Sequence, residues 1–236
     1  MIAFVATLVR SAFGFGEALI AVPLLALWIP LQEAAPLALL YSVTVASVVL
    51  IHDRKQVHLS SAKWLVLATV PGLPLGLLLL KAGHPAVVKA LLGGLIVAFS
   101  LWSLTARRTP ELRGDGRLWL VVCGFCAGIL GGAYSMGGPP LVVYGAMRRW
   151  SAQQFRATLQ AYFLPAGLVA AVGFWAAGLW IRTVFHLYLI SLLALVPAIV
   201  LGTAINRRLR GNFFLKVVYA GLVVIGGILL AQGFGA

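Results

Sequence analysis

Apolar residues fill long, nearly uninterrupted runs along the chain, and the polar residues stand in short clusters between these runs. A helix that crosses a hydrocarbon core of about 30 Å needs about 20 consecutive apolar residues. Runs of about this length each predict a membrane-spanning helix. They cover residues 34–51, 62–80, 86–106, 157–179, 183–205 and 212–232. The ten-residue alternation of apolar and polar positions that is typical of a membrane β-barrel is not found.

Two further apolar stretches are interrupted by glycine-rich segments. The first consists of residues 2–13 and 18–29 around FGFGE, and the second of residues 118–131 and 138–147 around GAYSMG. At 1.5 Å per residue, each piece reaches only about 20 Å as a helix, which is too short to cross alone. Each pair is therefore predicted to be either one broken crossing or a re-entrant helical hairpin.

The chain also repeats itself, which predicts two homologous halves. Matching residues occur at offsets of 121 (Gly16 and Gly137, Gln32 and Gln153, Tyr41 and Tyr162), 126 (Pro71–Gly76 and Pro197–Gly202) and 127 (Lys89 and Lys216, Gly94 and Gly221). The predicted halves are residues 1–110 and 111–236. Each half contains one broken segment followed by three spanning helices, so about eight hydrophobic segments make an all-α polytopic membrane protein.

Composition agrees with a membrane protein. Hydrophobic residues make up 62% of the 236 residues and charged residues only 10%, whereas about a quarter of a soluble domain is charged. The formal net charge of +13 comes from basic clusters between the apolar runs. Such clusters are typical of orientation signals and of contacts with anionic lipid head groups, so nucleic acid is not predicted as a partner.

The position of the basic residues distinguishes the two forms of the broken segments. If both segments cross, the Lys and Arg residues divide 9 to 8 between the two faces, and no orientation emerges. If both re-enter, 14 lie on one face and 3 on the other. The second division agrees with the positive-inside rule. We therefore predict inverted repeats, with basic loops in the cytoplasm and both termini outside it, although a broken crossing stays an alternative.

In the inverted arrangement, the tips of the two hairpins would meet near the middle of the membrane. Unsatisfied N–H groups at the start of each second half-helix would then face one cavity and favour an anion. Pro139 and Pro140 suit the first turn of such a helix. The predicted substrate-binding residues lie in the breaks and on the next helix: Gly14, Gly16, Tyr134, Ser135, Gly137, Gly138, Pro139, Gln153, Arg156 and Gln160.

Glu17 is the carboxylate predicted to lie deepest in the membrane, where an ionisable group is a functional candidate. Two roles stay open: it carries a coupling proton, or it pairs with Arg10, seven residues earlier and two helical turns away. Cys123 and Cys126 are predicted to be packing residues, and the four histidines lack metal-ligand spacing. Neither a catalytic site, a metal nor a cofactor is predicted.

Two stretches carry a resemblance to a known family: GFGEALIAVPLL at 14–25 and GGAYSMGGPPLVVYGAMRRWSAQQFRATLQAYFL at 131–164. In these stretches, and in its duplicated layout, the chain resembles the TauE/SafE sulfite exporter family of membrane transporters. The glycine-rich turns of the family correspond here to Gly14, Gly16, Gly137 and Gly138. The chain departs from many relatives at Glu17-Ala18, where they continue with glycine, and at Pro139.

The resemblance implies a secondary transporter of small sulfur-containing anions, such as sulfite, thiosulfate or organosulfonates, in the bacterial inner membrane. An anion channel and a transporter of another small organic anion are the alternatives. Proton coupling and a homo-oligomer are left open. The predicted partners are thus the anion and the lipid bilayer.

Overall fold

The computed structural model describes residues 1–53, 57–105, 111–112, 116–208 and 213–234. The described residues form eleven helices: α1 (Ile2–Phe13), α2 (Glu17–Leu25), α3 (Leu31–Asp53), α4 (Leu59–Thr69), α5 (Gly72–Ala82), α6 (Pro85–Thr105), α7 (Arg117–Tyr134), α8 (Gly138–Met147), α9 (Ala152–Ala176), α10 (Arg182–Arg208) and α11 (Phe213–Phe234). The all-helical prediction is confirmed for this part of the chain. Six of the basic loop residues lie outside it: Arg54, Lys55, Arg107, Arg108, Arg113 and Arg210.

Both predicted interruptions of the apolar stretches are confirmed. Helix α1 ends at Phe13 and α2 begins at Glu17, while α7 ends at Tyr134 and α8 begins at Gly138. Helices α3, α6, α7, α9 and α10 are each long and apolar enough to cross a membrane. A sixth span results if α4 and α5 are counted together.

The run at 62–80 is not the single straight helix that its sequence predicts. It forms α4 and α5, which are bent by 46° at the break after Thr69. Pro71 explains the bend, because proline has no N–H and its ring clashes with the carbonyl four residues earlier. The matching Pro197 lies inside the continuous helix α10, so the same motif has a different outcome in the second half.

The piece predicted at 118–131 was also wrong in its length. Helix α7 has 18 residues and meets the length and composition of a membrane span. It extends through Gly131, Gly132 and Ala133 up to Tyr134, although glycine disfavours helix interiors. Close packing explains the extension: a Cβ atom at Gly132 would collide with the carbonyl oxygen of Leu73 on α5.

Helices pack across the two predicted halves. Helix α1 packs on α10, α7 packs on α4 and α5, α3 packs on α9, and α6 packs on α11. Helix α1 also packs against α2, and α7 against α8. Small residues let the backbones approach closely at these crossings, as is common between membrane helices.

Two of these crossings use residues at matching positions. A Cβ atom at Gly76 would collide with Ile129 O and Ala133 N of α7, and one at Gly202 would lie 2.6 Å from Leu8 O and 3.2 Å from Ala12 N of α1. Ile129 and Ala133 on α7 follow Leu8 and Ala12 on α1 by 121 positions, which is one of the offsets of the sequence repeat.

Two buried tyrosines at the same offset make similar contacts. Tyr41 on α3 shares a hydrogen bond of 2.7 Å with Ser191 on α10. Tyr162 on α9 shares one of 2.8 Å with Thr69 on α4. Each tyrosine therefore joins its own half to the other half.

Candidate functional site

The first helix break depends on two glycines with a left-handed backbone. Gly14 has φ 86° and Gly16 has φ 100°, a conformation that side chains with a Cβ rarely adopt. Gly14 is also constrained by packing, because a Cβ atom there would lie 2.9 Å from the Cα atom of Arg156. Helix α9 can therefore approach the break only where no side chain intervenes.

The second break has a different local chemistry. Ser135 is left-handed, with φ 55°, and its backbone N–H donates to Gly131 O. Its hydroxyl donates to Ala35 O over 2.7 Å. Pro139 and Pro140 occupy the first turn of α8, as predicted, where a missing N–H leaves no internal hydrogen bond unmade.

The two breaks meet at one small buried cavity of about 20 Å³. The N-terminal residues of both short helices border it, and so do one charged and one aromatic side chain from α1 and α9. The lining comprises Arg10, Phe15, Gly16, Glu17, Ala18, Leu19, Ser135, Met136, Gly138, Pro139 and Phe163. A second cavity of about 30 Å³ shares Ser135 and Phe163 and also contacts Gly137. Gly16, Ser135, Gly137, Gly138 and Pro139 are thus brought together.

An ion pair lies at the border of the first cavity. Arg10 Nη1 donates to Glu17 Oε2 over 3.0 Å, and the Thr7 hydroxyl donates to Glu17 Oε1 over 2.8 Å. Arg10 is 2% exposed and Glu17 is 1% exposed. The pair with Arg10 was one of the two roles left open for Glu17 and is present in the structure, but its helical rationale was wrong: α1 ends at Phe13, so the pair bridges the break instead of following one helix face.

Arg10 also connects α1 to two long helices. Its guanidinium donates to Ser42 Oγ on α3 over 2.6 Å and to Gln160 Oε1 on α9 over 3.0 Å. The guanidinium carbon lies 4.5 Å from the centre of the Phe163 ring, a cation–π distance. Gln160 in turn donates to Gly14 O over 2.9 Å, which satisfies a carbonyl at the end of α1.

Three other predicted site residues lie away from the first cavity. The Tyr134 hydroxyl donates to Val88 O on α6 over 2.9 Å. Gln153 is exposed at the start of α9. Arg156 is buried and borders a larger cavity of about 310 Å³ between α3 and α10, together with Val48, Val49, Ile199, Val200, Thr203 and Ala204.

Three residues that contribute to this region were not predicted: Thr7, Ser42 and Phe163. Thr7 had a local signal, because positions three apart share a helix face and Thr7 precedes Arg10 by three. Ser42 and Phe163 had none, since their contacts with Arg10 span 32 and 153 positions.

The other candidate chemistry lies apart from the breaks. Cys123 is buried, Cys126 is exposed, and both are free. Among the residues that the structure describes, no group of three or more His, Cys, Asp or Glu side chains could hold a metal ion.

The sequence of the whole chain decides the family. A family model described as sulfite exporter TauE/SafE matches residues 1–230, which include both breaks and all eleven helices except the end of α11. The chain belongs to the TauE/SafE family. This TauE/SafE protein is therefore a multi-pass membrane protein of a transporter family. No curated protein and no solved structure matches it.

Proposed function

We propose that this TauE/SafE protein is a secondary transporter of small sulfur-containing anions, with the anion held between the two helix breaks. One observation carries the proposal: the N-termini of α2 and α8 border the same buried cavity. The N-terminus of α2 contributes unsatisfied N–H groups and a partial positive charge. In the first turn of α8 only Gly138 has an N–H, because Pro139 and Pro140 lack one, so this end contributes mainly the partial positive charge of the helix. Two such ends facing one cavity favour a negative ligand.

Arg10 adds a full positive charge beside these helix ends. Its guanidinium borders the cavity and is nearly inaccessible to water. In a medium of low polarity, an arginine attracts an oxyanion strongly and can bind two of its oxygens with parallel N–H groups. Sulfite, thiosulfate and the sulfonate group all present oxygens that suit this geometry.

The proposed halves are residues 1–110 and 111–236, arranged as inverted repeats with re-entrant hairpins. Three observations support them. Helix α1 packs against α2 and α7 against α8, as the two arms of a hairpin do. The Gly76 and Gly202 crossings use residues at matching positions. Tyr41 and Tyr162 each contact the other half.

The membrane orientation is proposed from charge. The loops that carry 14 of the 18 Lys and Arg residues would face the cytoplasm of a bacterium, and both termini would face the periplasm. Arg156 borders the larger cavity and packs against Gly14 at the first break. We place the cytoplasmic entrance of the anion at this cavity.

Alternating access is favoured over an open channel because the cavities at the breaks are small. A space of about 20 Å³ holds about one water molecule, so the cavity between Gly16 and Gly138 is too small for a sulfite ion in this conformation. Glu17 is proposed to carry the proton that is coupled to transport, because it lies beside Arg10 at this cavity. A saturable uptake of sulfite would separate a transporter from a channel.

The test is sulfite uptake into proteoliposomes by the Gly138→Leu variant. Gly138 is not among the glycines with a positive φ, and an added Cβ atom would lie 3.9 Å from Phe163 Cζ, an ordinary van der Waals distance. The rest of a leucine side chain would fill the cavity. We expect the rate of sulfite uptake to fall at least about tenfold, because a loss of about 1.4 kcal/mol of binding free energy weakens anion binding tenfold.

The matched control is Gly221→Leu. Gly221 is exposed on α11 and has no atom within 4 Å of an added Cβ, so uptake by this variant should equal that of the wild type. Wild-type rates of sulfite uptake in the folded Gly138→Leu variant would contradict the proposed site. Absence of uptake of sulfite, thiosulfate and sulfonates by the wild type would contradict the proposed function.

A further inference from the structure

The carboxylate of Glu17 lies where a bound oxyanion would be expected. Glu17 is the first residue of α2, directly after the left-handed Gly16, so it stands at the positive end of that helix. One of its oxygens accepts from the Thr7 hydroxyl and the other from Arg10. A hydroxyl, a guanidinium and a helix N-terminus form the donor set of an anion site, and a side chain of the protein itself fills it.

We propose that Glu17 is a tethered competitor of the transported anion: its carboxylate occupies Arg10 in the empty protein, and the substrate binds only when this carboxylate has moved away. The inference rests on the proposed function, because it takes the site between the breaks as the substrate site. The ligand class is a small oxyanion that can replace a carboxylate on a guanidinium.

The size of the cavity supports replacement over simultaneous binding. The free space beside the ion pair is about 20 Å³, room for about one water molecule. Sulfite has four heavy atoms and needs more space than that. Removal of the Glu17 carboxylate from Arg10 would supply both the space and the donors.

The charge of the site supports replacement as well. Arg10 and Glu17 together are neutral, and both are buried. An anion that joined them would leave a net negative charge in a medium of low polarity, where an uncompensated charge is strongly unfavourable. An anion that takes the place of the carboxylate keeps the guanidinium paired.

One donor of Arg10 is available for such a ligand. Nη1 and Nη2 donate to Glu17, Ser42 and Gln160, but Nε is buried and has no hydrogen-bond partner among the described residues. Arginine binds oxyanions best when two N–H groups engage two oxygens. Release of Glu17 frees an N–H of Nη1, while Nε shares the other edge of the guanidinium with Nη2, so Nε is a further donor that the tethered carboxylate leaves unused.

The test compares sulfite binding by the full-length wild type and by Glu17→Gln, measured by titration calorimetry in detergent. Glutamine keeps the size of the side chain but removes the charge that competes for Arg10. If the carboxylate is docked in at least about 90% of the molecules, its removal lowers the apparent Kd for sulfite at least about tenfold. The matched control is Glu111→Gln, an exposed residue, whose Kd should equal that of the wild type.

A measurement on the wild type keeps the inference testable if Glu17→Gln does not fold. The chain has only three glutamates, Glu17, Glu33 and Glu111, so ¹³C-glutamate labelling gives a simple carboxylate signal in infrared spectra. We expect addition of sulfite to shift one of the three labelled carboxylate bands. Unshifted glutamate bands at saturating sulfite would contradict the inference.

The outcomes separate the inference from the function on which it rests. An equal or higher Kd in folded Glu17→Gln, with sulfite bound by the wild type, contradicts the tethered competitor alone. Absence of sulfite and thiosulfate binding in both proteins contradicts the proposed function, and the inference with it. A lower Kd in Glu17→Gln and an unchanged Kd in Glu111→Gln support both.

Discussion

Arg10 is the side chain at which four helices meet. It belongs to α1 and contacts Glu17 on α2, Ser42 on α3, and Gln160 and Phe163 on α9. A charged group in such a position has a structural role in addition to any role in binding. Removal of one partner of a buried ion pair leaves the other charge uncompensated, which destabilises proteins by about 3–5 kcal/mol.

Arg10→Met is therefore expected to lower the melting temperature of the purified protein strongly. The double variant Arg10→Met/Glu17→Gln removes both charges, so it should recover most of the lost stability. We expect the double variant to remain inactive in sulfite uptake, because the guanidinium that is proposed to hold the anion is absent. Restored uptake together with restored stability would assign Arg10 to structure alone. Thermal melts followed by fluorescence, and uptake into proteoliposomes, measure the two effects separately.

Part of this network could be predicted from the sequence, and part could not. Glu17 was recognisable because a carboxylate is rare and unfavourable within an apolar stretch. Its partner Arg10 was close enough in sequence to be considered. Ser42 and Phe163 carry no such signal, because serine and phenylalanine are ordinary residues in a membrane helix and only the tertiary fold brings them to Arg10.

At the scale of the helices, glycines that bring two backbones into direct contact determine the arrangement around the breaks. Gly72 and Gly76 on α5 face the backbone of α7, and Gly128 and Gly132 on α7 face the backbone of α4 and α5. The sequence predicted breaks within FGFGE (13–17) and GAYSMG (132–137), because glycine and proline disfavour helices locally, and the structure has them at Gly14–Gly16 and Ser135–Gly137. The sequence did not predict which helices cross, since the same small residues fit many partners.

Gly76→Val tests this crossing. A Cβ atom at Gly76 would collide with Ile129 O, a backbone atom that cannot move without moving α7. We expect a loss of about 3 kcal/mol, at the upper end of the usual range for overpacking, visible as a lower melting temperature. The control is Gly227→Val on α11, where an added Cβ meets no atom within 4 Å and the stability should change little. Equal melting temperatures of the two variants would show that α5 and α7 can separate without loss.

At the scale of the whole molecule, the two forms of the broken segments predict different membrane sides. If the segments are re-entrant hairpins, Trp28 lies outside the cytoplasm and Arg149 lies inside it. If they are broken crossings, the two residues lie on the same side. Both side chains are exposed in the structure.

Single cysteines at Trp28 and Arg149 distinguish the two forms, in a background where Cys123 and Cys126 are replaced by alanine. We expect a membrane-impermeant maleimide added to intact cells to label Trp28→Cys and to leave Arg149→Cys unlabelled until the cells are opened. The 14 to 3 division of basic residues is the physical reason for this orientation. Labelling of both positions from the same side would contradict the inverted repeats.

The packing of α1 on α10 has a consequence for how the chain is assembled during synthesis. Residues 14–181 lie between the two helices, so the ribosome needs on the order of 10 to 30 s to produce the partner after α1 has emerged. Helix α7, by contrast, emerges when α4 and α5 already exist. Before α9 and α10 emerge, the first broken segment lacks the contacts of α9 with Arg10 and of α10 with α1, so we expect the insertion machinery to keep Arg10 and Glu17 from the lipid. In the second broken segment, α7 can pack on α4 and α5 as soon as it emerges.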